Sequence, residues 1–391
     1  MSERPFRPSS VETPRGASPR RRGRPEVGRR PTGRLYRGGE AQEKIRTFLD
    51  ELIGQGVMSA AVALVGTGEG IESEEAVGLA RDSVPATTAT RFDYASLTKP
   101  LMATLSLALD AAGVLPLATR IGDVWPGAHA RLARRPLADL LRHRSGLAAW
   151  TPLYHRCRSL DEAVALIVQG GRDGDLIGAR PGTYSDLGFI LWGRTAGQVT
   201  GTPLAALLRA RVLDPLGLGG VEASPGERPD LAESRMGTGQ EVRLAAKQGF
   251  TVADLGPPPL GRPQDGNGRF LAGTGEICGH AGLFGGARDL WRLGAEWLAP
   301  GRLLHPEGVA AALGGSGRFA FGWWRRTLRG SAGRSLSPTA FGHTGFAGNS
   351  FWIDPERGRI FVLLGSRLDP SMDMNRWRRR FHRLALLEGF S

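Results

Sequence analysis

The sequence predicts an α+β fold in which one antiparallel sheet, flanked by helices, is built from both ends of the chain and a mostly helical region is inserted between them. Three observations predict it. Apolar, β-prone stretches lie at 59–65 and 71–79, and again at 319–328, 347–353 and 359–364. The middle of the chain carries apolar residues at helical spacing, and a last amphipathic stretch closes the sequence. Early strands, central helices and late strands place the sheet region at about 41–95 and 315–391, with the inserted region at about 110–310.

The elements follow in order. Residues 1–40 hold eleven arginines against four glutamates with few apolar groups, so they cannot pack a core and are expected to form a disordered basic tail. Ile45, Phe48, Leu49, Leu52 and Ile53 recur at helical spacing over 41–55. The glycine-rich segment 66–70 joins the first two strands as a turn. A buried helix begins around Ser96, because Pro100 is tolerated only in a first turn. Short helices are expected at 136–143, 160–168, 203–212, 287–297 and 305–313. Segment 219–280 is rich in Gly and Pro, with some strand possible at 241–244 and 250–253. The turn 354–358 joins two late strands as a hairpin. Over 374–387, Trp377, Phe381, Leu384 and Leu387 face inward, and the arginines from Arg376 to Arg383 form a solvated basic face.

Composition narrows the function classes. The formal charge is +13, and about half of that excess lies in the first forty residues. Charge alone gives the tail some affinity for polyanions, but nothing in the body calls for a nucleic-acid partner. No run of 18 apolar residues exists, so no integral membrane segment is expected. No apolar run follows Arg20, Arg21 and Arg22 as a secretory signal requires, and the expected compartment is the cytoplasm. Cys157 and Cys278 are too few for a disulfide scaffold and read as small buried groups. No metal-ligand spacing recurs, and Gly66, Gly68 and Gly70 lack the strand, helix and downstream acid of a nucleotide loop. No cofactor is expected.

Ser96 and Lys99 carry the chemistry. Three residues apart at a helix start, their side chains share one face, and unpaired N–H groups there favour developing negative charge. Only Lys44, Lys99 and Lys247 occur in the chain, and arginine cannot serve as a base. No Gly-x-Ser-x-Gly elbow surrounds Ser96, which argues against an α/β-hydrolase.

Two further stretches complete a constellation: Pro181-Gly182-Thr183-Tyr184-Ser185-Asp186 and Gly342-His343-Thr344-Gly345-Phe346. With Ser96-x-x-Lys99, and with the accessory segments 140–147 and 279–284, their order resembles the serine β-lactamase and penicillin-binding protein superfamily. The resemblance is to its class C-like branch of esterases and D-amino-acid peptidases, and it covers about residues 41–389. It implies a β-lactamase/transpeptidase-like fold, Ser96 as acylated nucleophile, Lys99 as its activating amine and Tyr184 as proton shuttle. It also implies that the N–H groups of Ser96 and Phe346 form an oxyanion hole, each donor worth about 3 kcal/mol in the transition state. Lys99 and Tyr184 would titrate as a unit.

Two departures bear on substrate. Asp186 stands where the family often has Asn, and an ionised carboxylate only accepts hydrogen bonds. His343 replaces the lysine of Lys-Thr-Gly and offers less fixed charge to a penicillin-like carboxylate. Thr344 and Gly345 are small enough to let that strand lie close to substrate. His143 and His280 are expected to make structural hydrogen bonds. The reading is a cofactor-independent serine hydrolase acting on a small ester, amide or short peptide, with a carboxylic ester first. β-Lactamase or DD-peptidase activity is the rival within enzymes, and a non-catalytic ligand-binding or scaffolding protein of the same fold is the rival outside them.

Overall fold

A computed structural model describes residues 37–387, with side chains from residue 42 to 386. The expected basic tail therefore lies outside the described residues except for its last few positions, as does the side chain of Leu387. The first helix, α1 (Arg37–Gly54), leads into strands β1 (Met58–Gly66), β2 (Ile71–Arg81) and β3 (Val84–Pro85). The late strands are β4 (Trp324–Arg325), β5 (Phe341–Thr344), β6 (Ser350–Asp354) and β7 (Arg359–Arg367). They form one seven-stranded antiparallel sheet in the order β3-β2-β1-β7-β6-β5-β4, so β1 and β7 from opposite ends of the chain pair at its centre.

Strand alternation sorts the central residues between two cores. On β1, Ala60, Val62 and Leu64 face the larger core, and Ala61, Ala63 and Val65 face the smaller one. On β7, Ile360, Val362 and Leu364 face the first, and Phe361 and Leu363 the second. The smaller core is closed by α1 and by α5 (Met374–Leu387), with the ring of Phe48 6.1 Å from Trp377 and 6.0 Å from Phe381. The larger core joins α2 (Thr98–Ala111), α3 (Asp186–Thr200) and α4 (Ala287–Leu298) to the other face of the sheet, together with the inserted helical region. No helix among the described residues is long and apolar enough to cross a membrane.

Three expectations are corrected. Segment 241–244 lies in a helix, Gly239–Lys247, and 250–253 forms no strand. Glu241, Arg243, Leu244 and Ala246 are good helix formers, and Ala245, with partly buried Val242 and Phe250, packs a small cluster around Trp150 and Val252. Segment 319–328 forms a strand only at Trp324–Arg325, with Phe319 bridged singly to Trp324. Gly322 turns the chain there at φ +73°, and Arg325 bonds the carbonyl oxygens of Leu313 at 2.9 Å and of Phe319 at 2.6 Å. The α5 arginines are not all solvated, because Arg378 is 7% exposed and turned inward.

Candidate active site

Ser96 sits on a strained turn rather than inside a helix. The short strand Phe92–Asp93 ends in a 3₁₀ turn, Ala95–Leu97, that runs directly into α2. Ala95 has φ 48°, a left-handed conformation costly for a residue with a Cβ. Asp93 holds it there: its Oδ1 accepts from the N–H of Ala95 and its Oδ2 from the N–H of Gln264, both at 2.8 Å. Burial pushes the Asp93 carboxyl up to about 6 against those two donors.

The three motifs meet at the Ser96 hydroxyl. Lys99 Nζ donates to Ser96 Oγ at 2.9 Å, and Tyr184 OH donates to the same oxygen at 3.0 Å. Lys99 Nζ also donates to the carbonyl of His280 at 2.9 Å and pairs with Asp186 Oδ1 at 2.8 Å. Two of the three ammonium N–H donors are thus spent on Ser96 and His280, and Asp186 balances the charge. Burial disfavours the charge on fully buried Lys99, but Asp186 outweighs it and raises its pKa. Burial pushes Tyr184 up to about 12 although Lys99 pulls the other way, so Tyr184 rests as a phenol. Lysine is the cation of the pair and tyrosine the neutral partner.

Local structure positions Tyr184 and Asp186. Ser185 caps α3, its Oγ accepting from the N–H of Gly188 at 3.3 Å and donating to the Ala148 carbonyl at 2.7 Å. The Ser185 N–H donates to His143 Nδ1 at 2.9 Å. That nitrogen must accept, so His143 is neutral, and burial beside Lys99 lowers its pKa to about 3. Its ring packs 4.6 Å from that of Tyr184.

His343 is also neutral, and its tautomer follows from its neighbours. Trp324 Nε1–H can only donate, and it meets His343 Nε2 at 3.0 Å. The proton therefore sits on Nδ1, which donates to the Thr344 carbonyl at 2.9 Å. Burial, with Lys99 next, holds the imidazole well below its ordinary pKa. Where the sequence suggested a partly charged group, the fold supplies none.

The β5 end lies close to the turn that carries Ser96. A Cβ on Gly345 would stand 2.8 Å from the Tyr94 carbonyl oxygen, so only glycine fits. Asn349 donates from Nδ2 to the Asp93 carbonyl at 2.8 Å and accepts from the Gly365 N–H at 3.1 Å, which ties the sheet to the turn. Thr344 ends β5 and Phe346 follows it in a turn, both partly buried.

His280, whose carbonyl accepts from Lys99, is held by further buried polar groups. His280 Nε2 donates to Asp265 at 2.7 Å and its Nδ1 lies 3.3 Å from Cys278 Sγ. Burial opposes charge on this imidazole, but Cys278 and Asp265 raise its pKa well above the ordinary value. Among the described residues, no group of three or more His, Cys, Asp or Glu side chains is placed to hold a metal ion. Sequence reasoning missed Asp93, Trp324 and Asn349. Only Asp93 carried a signal, since an aspartate just before a tight turn is a natural acceptor for its N–H groups.

The sequence model of the Beta-lactamase family matches residues 42–385. The chain belongs to that family. Proteins similar to it include esterase EstB of Burkholderia gladioli, 29% identical over 383 residues, which span 85% of this chain and 92% of that protein. A protein of Escherichia coli K12 provisionally named a D-alanyl-D-alanine carboxypeptidase is 27% identical over 327 residues, 74% of this chain and 72% of that protein. The solved structure of EstCE1, a hydrolase with promiscuous acyltransferase activity, superposes with a TM-score of 0.70 at 19% identity, covering 89% of this chain and 99% of that one. The antiparallel sheet with flanking helices and an inserted helical region is thus the fold of this family, as the motif order implied.

Proposed function

We propose that this chain is a serine hydrolase that cleaves a neutral carboxylic ester through an acyl-enzyme on Ser96. Acyl-enzyme hydrolysis at a serine is the chemistry supported for the superfamily as a whole; the choice of ester is the finer step. It rests on one observation: the hydroxyl of Ser96 stands between an ammonium and a phenol, and the His343 imidazole beside them is uncharged. A substrate carboxylate would meet no fixed cation at that position, while Asp186 would repel it.

In this reading Ser96 Oγ attacks the ester carbonyl. Its proton passes to the Tyr184 oxygen as the phenol gives its own proton to the leaving alkoxide, so Tyr184 ends as it began. Lys99 remains an ammonium, stabilising the charge that develops on both oxygens. The N–H groups of Ser96 and Phe346 receive the carbonyl oxygen. Water then attacks the acyl-enzyme through the same shuttle in reverse.

The test is intact-mass analysis after a fluorophosphonate, with turnover of a p-nitrophenyl ester, a chromogenic cephalosporin and a D-Ala-D-Ala peptide measured alongside Ser96→Ala. One added phosphonyl group, absent in the variant, and ester turnover faster than the other two are expected. Faster cleavage of the peptide or cephalosporin would replace the ester reading, and the name carried by the Escherichia coli relative makes the peptide the first competitor. A folded protein without label or turnover would sink the catalytic reading.

A further inference from the structure

Arg378 is a buried guanidinium with no carboxylate partner among the described residues, and its place explains why it is there. It lies on α5, 7% exposed, and donates from Nη2 to the Gly345 carbonyl at 2.9 Å and from Nη1 to Asn375 Oδ1 at 3.1 Å. A second buried arginine, Arg367 on β7, is 8% exposed and gives its hydrogen bonds to carbonyl oxygens of the same region, including that of Phe346 at 3.4 Å. Burial, with Arg367 next, lowers the Arg378 pKa to about 9, which leaves it charged at neutral pH. Burying a cation without a counter-ion is costly, so it calls for a compensating use.

The Gly345 carbonyl and the Phe346 N–H are the two ends of one peptide unit. A charged donor on the oxygen draws electron density through the amide and makes the N–H at its other end a stronger donor. The same carbonyl accepts the Gly348 N–H at 3.2 Å, which fixes the turn but carries no charge. We infer that Arg378 is a positioning residue that polarises the Gly345–Phe346 peptide, strengthening the Phe346 N–H as a donor to the oxyanion. The inference rests on the proposed function, in which that N–H faces the acyl oxygen. It assigns catalytic weight to a residue on the far helix that touches no substrate.

The experiment compares wild type, Arg378→Gln and Arg378→Lys. Glutamine keeps an N–H able to tie the turn but removes the charge; lysine keeps the charge. Three quantities are read: kcat and KM for a phenyl ester, and the inhibition constant of an aryl trifluoromethyl ketone, whose serine adduct bears an oxyanion. Arg378→Gln is expected to lower kcat about tenfold and weaken the ketone by a similar factor, with KM within about twofold, and lysine to recover part of both. A merely structural role would lower the melting temperature or raise KM without weakening the ketone selectively. A folded Arg378→Gln with kcat and ketone affinity within about twofold of wild type would overturn the inference. If Arg378→Gln does not fold, Arg378→Lys decides: ketone affinity lost with the charge retained would equally overturn it. Wild type that takes no fluorophosphonate would overturn the functional reading as well, whereas labelled wild type with an indifferent variant removes this inference alone.

Discussion

Asp186 fixes the charge of Lys99, and through it the way activity responds to pH. With the carboxylate 2.8 Å away the lysine pKa is raised, so the ammonium persists well into the alkaline range. Asp186→Asn removes that support and leaves burial to lower the lysine pKa. The alkaline limb of kcat/KM is expected to move to lower pH in the variant, with a loss of tenfold or more at neutral pH by analogy with other proton-transfer groups. An unmoved limb in a pH-rate profile would show that Lys99 does not act as a cation. Asp93 governs the other side. Its carboxyl, raised to about 6, loses an acceptor for Ala95 or Gln264 when protonated, and the strained turn under Ser96 slackens. An acid limb near pH 6 is therefore expected in wild type, absent from Asp93→Asn, which is less active throughout.

At the scale of elements, the site depends on a tie between sheet and turn that no local pattern announces. Asn349→Ala breaks both the bond to the Asp93 carbonyl and that from Gly365, and leaves buried polar groups unpaired. Urea unfolding is expected to show a loss of about 2–4 kcal/mol, with kcat falling more than KM rises. A loss under about 0.5 kcal/mol would mean that the turn holds itself. Elements whose signal is local were legible in the sequence: β1, β2, the β6–β7 hairpin and α5 match their expected spans because alternation and helical spacing record burial directly. Ser96 and Lys99 were legible as a pair because a spacing of three at a helix start puts them on one face. The fold brings the three side chains together, whereas Tyr184 was legible only through the resemblance of the motif order. Asn349, Trp324 and Arg378 were not, because each acts on a group remote in sequence. The tautomer of His343 likewise depends on Trp324, nineteen positions away. Segment 241–244 was misread as strand because its apolar residues are few and its helix packs on Trp150 in a different part of the chain.

Over the whole molecule, buried titratable groups pull stability in opposite directions, and a single variant can separate them. Asp93 at about 6 and Glu241 at about 8 bind protons earlier in the folded chain than in the unfolded one, each raised first by burial. Their contributions are complete below the unfolded pKa and are lost as pH rises through the folded one. His143 and His382, both at about 3, and His343 do the reverse, because burial keeps them neutral where the unfolded chain is protonated. What they contribute is present above about pH 6.5 and lost as pH falls towards 3. The sum is a partial cancellation, so the wild-type profile alone cannot separate the groups. His382 lies behind the sheet, fully buried against Phe361 and Phe381 and away from Ser96, so His382→Gln leaves the site's own groups in place. The stability difference between wild type and this variant, from urea unfolding at several pH values, is expected to be level above pH 6.5. Below it, the difference should fall by about 1.4 kcal/mol per pH unit to the disadvantage of wild type, the slope of one proton. A difference independent of pH between 4 and 7 would show that His382 takes up its proton within the fold.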